Sequence, residues 1–314
     1  MTTRRQHYVW QKYLEPWTVK DKKGRKIWCL RKDSRIPFLV DTKNVAVERD
    51  FYRLSKASEA DMNFVRFLVF NRKTNQVLHS LNEGWIKGFE LLFRAHKIVV
   101  SHPKTNHQAR ELLEKELIEH QEKAYAKMEA GAVSYLAALQ RNDVSFFAAE
   151  NHATQFSYFL AHQYFRTKAI RDRIRATFAG SDAECFDRVW PIMRYVFATN
   201  IGFAIFSERR AVQLQVLRAP PDIEFITSDQ PAINTYGAFV SETTPVKEME
   251  IFYPISPSRA AILSGHAAYQ GMHGQELGPL RMSYLNQTVE RVAYEQLFAS
   301  SQDTLTKAAG TFCR

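Results

Sequence analysis

The chain has 314 residues, 45% hydrophobic and 24% charged, a globular composition that excludes a disordered chain and leaves ample length for a core. No run reaches about 18 apolar residues, and the opening MTTRRQHYVWQKYLEPW lacks the apolar core of a secretory signal, so neither a membrane span nor export is expected. The formal net charge is +10, and residues 1–60 hold 15 Lys and Arg against 7 Asp and Glu, a net of +8.

In chain order, a short amphipathic segment is followed by a turn at Asp21 to Gly24, which contains Lys22 and Lys23. Lys26 to Arg31 and Pro37 to Val40 then read as an edge hairpin. Phe64 to Lys97 reads as helix broken near Gly84 and Gly88. Thr105 to Leu139 is the clearest helix: Thr105 and Gln108 suit a capping box, and Glu111–Lys115 and Glu119–Lys123 are i,i+4 pairs in the favourable orientation. A second long helix is expected from Ser145 to Phe178, ended by Gly180, and a third from Ala183 to Arg210, kinked or interrupted near Pro191.

After residue 211 the periodicity changes from helix to strand. Val212, Leu214 and Val216 alternate with polar residues, and 223–227, 250–253 and 260–263 read as further strands. Ser283 to Ala299 reads as a closing amphipathic helix. Strands at both ends around a helical middle predict an α+β fold, with a mostly antiparallel sheet built from the N- and C-terminal segments against a central layer of long helices. No composition shift marks a boundary, so residues 1–314 are expected to form one intertwined domain, with 1–60 a basic hairpin region, 61–210 helical, and 211–314 strands and closing helix.

Several chemistries are disfavoured. There is no GxxxxGK[ST], no GxGxxG after a strand, no HExxH and no GxSxG. Cys29, Cys185 and Cys313 are widely spaced, as expected for reduced thiols in the cytoplasm, and no Cys or His spacing suits structural zinc. The two histidines of the loop Gly265 to Gly274 are weak evidence for a metal.

What remains is a basic N-terminal region interleaved with Tyr8, Trp10, Tyr13, Trp17 and Trp28, the residue types that bind phosphates and stack on bases. Its alternative reading is a solvated basic face over buried aromatics. His152, Gln155, His162 and Arg166 fall on one helical face around Phe159, either as a hydrogen-bond network or as the lining of a cleft, where Arg166 would clamp an anion. Thr227 to Pro231 follows a strand, and Asp229 there closes a local turn, orients a partner or holds a metal.

Four stretches and the closing helix resemble family 4238 of domains of unknown function. QHYVWQKYLEPW is similar to its His-Tyr-Val-Pro-Gln opening, FLAHQYFRTKAIR to its Arg-Thr-Pro helix, FITSDQPAI to its Thr-Ser-Asp-x-Pro segment and YPISPSRAAIL to its Pro-Leu-Ser-Pro approach, while LNQTVERVAYEQLFAS resembles its closing Asn-containing helix. Trp10 and Lys168 stand where the family has proline. The resemblance implies a role in bacterial anti-phage defence, with a phage-derived trigger, and no settled activity.

These readings combine into an expected effector that engages nucleic acid and cuts RNA or DNA. His7 would move the proton, Arg166 clamp the scissile phosphate, and Asp229 orient His7 or hold a divalent ion. Arg4, Arg5, Tyr8, Gln11, His162, Gln163 and Ser228 would contact substrate. A sensor or protein-interaction module without turnover is the alternative.

Overall fold

The computed structural model describes residues 3–21, 24–54, 57–71, 75–102, 107–241, 244, 246 and 248–313. Lys22, Lys23 and Thr105 lie outside them, and with them the centre of the expected first turn and half of the expected capping box.

The N-terminal region forms β1 (Arg5–His7), α1 (Gln11–Leu14), β2 (Val19–Asp21), β3 (Gly24–Arg31), β4 (Phe38–Asp41) and β5 (Val47–Arg49). The helical middle runs through α2 (Glu59–Phe70), α3 (Gln76–Ser101), α4 (His107–Gln140), α5 (Glu150–Phe165), α6 (Lys168–Arg175) and α7 (Gly180–Ser207). The C-terminal part holds β6 (Gln213–Arg218), β7 (Thr227–Ser228), β8 (Ile233–Asn234), α8 (Thr235–Ala238), β9 (Ile251–Ser256), β10 (Arg259–Ser264), α9 (Pro279–Val292), β11 (Gln296–Ala299) and α10 (Gln302–Phe312).

The fold is α+β and the strand pairs between these elements are antiparallel. β3 pairs with β4 through Lys26 to Cys29, and with β11 through Trp28 to Arg31. Since β2 also pairs with β3 and overlaps β4 at Lys26, β2 and β11 share the edge of β3 opposite β4. The N-terminal hairpin is thereby built into the same sheet as the end of the chain, with β7 beyond β11. A second sheet has the order β6-β10-β9-β8, and β1 pairs with β5 separately.

The period of two along each strand assigns its faces to two cores. Ile27 and Cys29 of β3, Phe298 of β11, Tyr253 of β9 and Val216 of β6 face the core shared with α2 to α7. Their chain neighbours Leu30, Leu297, Phe252 and Leu217 face a second core closed by α9 and α10. The closing helices supply it at helical spacing, through Met282, Leu285 and Val289 and through Leu305, Ala308 and Phe312. The sheets therefore lie between two helical layers.

Four expectations need correction. Gly84 and Gly88 sit inside α3; the Ser58–Asp61 capping box starts α2, which ends at Phe70, and the Asn75 side chain, accepting from the Val77 amide, caps the start of α3. The helix expected from Ser145 to Phe178 divides at Arg166 and Thr167; Thr167 is extended, and Lys168 occupies the first helical position, where a proline is well tolerated. Gly180, at φ +54°, opens α7 and does not merely end the preceding helix. The helix expected from Ser283 to Ala299 stops at Val292, and Gln296–Ala299 is the strand that joins the two ends of the chain. α10 was not expected at all.

α7 is the one helix among the described residues long and apolar enough to cross a membrane by length and composition, and 67% of its most apolar window is buried inside the fold. It contains Pro191, whose carbonyl accepts from the Gln121 amide of α4. Gly202 lets α7 approach α5: a Cβ there would lie 3.1 Å from the Tyr158 Cα and 3.4 Å from the Ser157 carbonyl oxygen. These are helix backbone atoms, which yield poorly. Gly202→Ala is expected to cost about 1–3 kcal/mol of overpacking, more than the roughly 1 kcal/mol gained in helix propensity, and to melt lower than wild type in a thermal scan.

Candidate nucleic-acid interface

Three of the five N-terminal aromatics are buried in the core and cannot stack on bases. Tyr8, Tyr13 and Trp17 are all at most 2% exposed. Their polar tips tie the opening of the chain to its end: the Tyr13 hydroxyl lies 2.6 Å from Thr227 Oγ1, and the Trp17 indole donates to the Phe225 carbonyl at 2.7 Å. Trp10 and Trp28 are half-buried.

The basic residues divide into two groups. Arg4 is paired with Asp50 through both Nε and Nη2, and Arg5 donates to Asn44 Oδ1 and the Lys43 carbonyl, so both brace the β1–β5 corner. Others line an open groove of about 660 Å³ between α1, β2 and β3, the last turns of α4, and the β9–β10 hairpin. Its walls carry Lys12, Lys20, Arg25 and Arg259 against one carboxylate, Glu15, with the half-buried Trp10 at its side. Glu15 pairs with Arg25 at 3.2 Å, while among the described residues Arg259 bonds only neutral groups, Asn142 Oδ1 and Ser258 Oγ. Lys12 and Lys20 are exposed and take part in no ion pair among the described residues.

His7 ends β1 and is half-buried. Its Nε2 lies 3.3 Å from the Lys43 carbonyl, and its Nδ1 3.4 Å from the Gln11 amide. A carbonyl can only accept, so Nε2 carries the proton and Nδ1 is the basic nitrogen. Burial lowers the pKa of His7, and Arg5 and Arg166 add to that against the Lys43 hydrogen bond, which keeps the ring neutral near pH 7.

Arg166 is fully buried at the α5–α6 junction. Its Nε donates to the Tyr8 carbonyl at 2.8 Å, Nη2 to the His7 carbonyl at 3.4 Å, and Nη1 to Glu129 Oε1 at 2.5 Å. The guanidinium that was to clamp a phosphate is thus occupied by the scaffold. Burial raises the pKa of Glu129, opposed by the Arg166 charge.

Asp229 is equally enclosed. Oδ1 accepts from the Tyr294 amide at 2.8 Å, and Oδ2 from those of Glu295 and Gln296 at 2.7 and 3.1 Å. It ends α9 and turns the chain into β11, so both of its oxygens are engaged by the backbone of that turn. Burial pushes Asp229 up to about 7, against the pull of the three amides. Among the described residues no group of three or more His, Cys, Asp or Glu could hold a metal ion. His266 and His273 accept from the backbone amides of Ala268 and Val216.

His7, Arg166 and Asp229 do gather around one residue, Tyr8. Arg166 binds the carbonyls of His7 and Tyr8, and the charge of Asp229 raises the pKa of the Tyr8 hydroxyl after burial does. Their side chains nevertheless do not meet in an open cleft. Ser228 Oγ bonds the Gln230 backbone, and Gln230 Oε1 accepts from the Thr167 hydroxyl, which links the Arg-Thr and Ser-Asp segments directly. Lys168 binds Glu48 at 2.7 Å and approaches Glu295 at 3.6 Å, so it bridges β5 to the turn that precedes β11. His162 and Gln163 are fully buried with no hydrogen-bond partner on either side-chain polar atom.

The sequence pattern does not single out the groove residue Arg259, nor Arg194, Glu129, Glu122 and Tyr125. Glu122 and Glu129 lie among the many charged residues of α4, and Arg194 lies within an apolar run.

The family described as "Protein of unknown function (DUF4238)" matches residues 5–190, more than half of the chain. The chain belongs to this family. The matched span includes the His7 and Arg166 segments and ends before the Asp229 segment. No curated protein and no solved structure matches the chain.

Proposed function

We propose that this protein is a nucleic-acid-binding effector of bacterial antiviral defence, holding a phosphate backbone in the groove of Lys12, Lys20, Arg25 and Arg259. The observation that carries the reading is that this groove sets four cations against one carboxylate and that both of its lysines take part in no ion pair among the described residues. Unpaired cations along a groove release counterions from a polyanion, the main source of affinity for nucleic acid. Trp10 offers one face beside them. Cleavage would fall to His7, whose neutral ring presents a basic Nδ1. The commitment of Arg166 and Asp229 to the scaffold favours a second reading, binding without turnover.

Anisotropy titrations with labelled RNA and DNA should show affinity falling steeply with salt. Lys12→Glu, Lys20→Glu and Arg259→Glu should each weaken binding across sequences and reduce the salt slope by about 0.7–0.9 per lost phosphate contact. Binding that is absent at low salt, or indifferent to these changes, removes the proposal. If wild type cleaves the probe, His7→Gln should slow it by about two to four powers of ten with an unchanged melting curve; a wild type that binds and never cleaves leaves the second reading standing.

A further inference from the structure

Beneath the N-terminal corner, α4, α5 and α7 enclose a polar cluster that the nucleic-acid reading does not use. At its centre Tyr125 has its ring 5.6 Å from His162, 5.6 Å from Tyr195 and 4.9 Å from Tyr52. Two guanidiniums flank it, Arg166 at 5.0 Å and Arg194 at 5.7 Å from the Tyr125 centroid, and Arg194 also lies 4.6 Å from that of Tyr52. Arg166 has Glu129 as counter-ion. Arg194 does not: it is 1% exposed, takes part in no ion pair among the described residues, and its Nε and Nη2 have no hydrogen-bond partner. A buried cation left this way is costly. Stacking on Tyr52 offsets part of that cost and satisfies no N–H.

The surroundings select the missing group. His162 is fully buried with both ring nitrogens unpartnered, and burial, then Arg194 and Arg166, hold its pKa well below the usual value, so it offers one neutral N–H. With Arg166 neutralised, the cluster is rich in donors and carries one uncompensated positive charge. Its burial excludes a large ligand.

We propose that Arg194 and His162 form a binding site for a small inorganic oxyanion of the phosphate and sulfate type, completing the charge balance at the α4–α5–α7 junction. Arg194 supplies the charge and two donors, and His162 one more. Glu122, half-buried at the edge of the cluster, competes with the anion when ionised. The groups facing Glu122 are Glu119 and Glu129 on its own helix, Arg166 from the α5–α6 junction, Arg194 from α7 and Tyr52 beyond β5, and burial pushes Glu122 up to about 7.

The test compares melting in sodium phosphate and sodium sulfate with sodium chloride at matched ionic strength. Wild type should show a saturable rise of about 2–6 °C, and Arg194→Met should lose it while melting no lower than wild type in chloride, because an unpaired buried charge has been removed. Both anions stabilise proteins generally by exclusion, but that effect grows with concentration without saturating and would persist in Arg194→Met. Calorimetric titration of wild type should give one site per chain, which keeps the proposal testable if the methionine variant does not fold. Sulfate, which does not titrate near neutrality, should lose affinity from about pH 6 to about pH 8, and Glu122→Gln should flatten that loss. A non-saturating rise, a rise that survives Arg194→Met, or no calorimetric site overturns the inference and leaves the cluster to buried water.

Discussion

Arg166→Ala is expected to destabilise the fold by about 3–5 kcal/mol, because it breaks a buried ion pair from one side only. The guanidinium does three things at once: it neutralises Glu129 and supplies donors to the carbonyls of His7 and Tyr8. Alanine leaves a buried carboxyl that must take up a proton, two carbonyls short of a donor, and a void. The two carbonyls belong to the corner that packs the N-terminal segment onto α5, so the loss spreads beyond the pair. Arg166→Met with Glu129→Leu is expected to recover much of it, since an apolar pair of similar volume spares both charges their desolvation. Urea unfolding of wild type, the single variant and the double variant measures this. A single variant that loses less than about 1 kcal/mol would mean that Arg166 is not a scaffold residue and is free for a ligand after all.

The layered α+β plan is legible in the sequence because its signals are local. The alternation of Val212, Leu214 and Val216 is the inner face of β6 and of the residue that leads into it, and Lys26 to Arg31 with Pro37 to Val40 is the β3–β4 hairpin. What resists reading is decided at a distance. LNQTVERVAYEQLFAS keeps helical spacing throughout, yet its last part is a strand, because three amides at Tyr294, Glu295 and Gln296 are claimed by a carboxylate some 65 residues earlier. Tyr8, Tyr13 and Trp17 look the same in sequence whether they stack on bases or fill a core, and only the partners of their polar tips decide it. The polar line on α5 is likewise visible, but not its outcome: Arg166 finds Glu129, whereas His162 meets only aromatic rings and has no hydrogen-bond partner among the described residues. Arg194 gave no signal, since a lone arginine in IMRYVF resembles a surface position until α7 is seen to be enclosed.

Asp229→Ala is expected to cost about 3–5 kcal/mol, toward the low end for three buried donors at about 1–3 kcal/mol each, since an opened turn admits some water. The lost bonds are those that end α9 and aim Gln296–Ala299 into place between β3 and β7. The damage should therefore appear as loosening of the central sheet, with faster amide exchange in β11 than in β9. Asp229 also makes stability depend on pH. Its folded value of about 7 lies above the ordinary carboxyl value of about 4, so the folded protein holds a proton that the unfolded chain has released between those limits. That contribution is complete below about pH 4 and is lost as pH rises through about 7, so wild type should melt lower at pH 8 than at pH 6. Glu122, also held near 7, acts in the same direction and window. Asp229→Asn cannot titrate and should remove one share of the slope, Glu122→Gln the other, and the double variant most of it. If the melting temperature of Asp229→Asn follows pH as steeply as that of wild type, the three amides outweigh burial, Asp229 is already ionised in the fold, and the turn is held by a full negative charge.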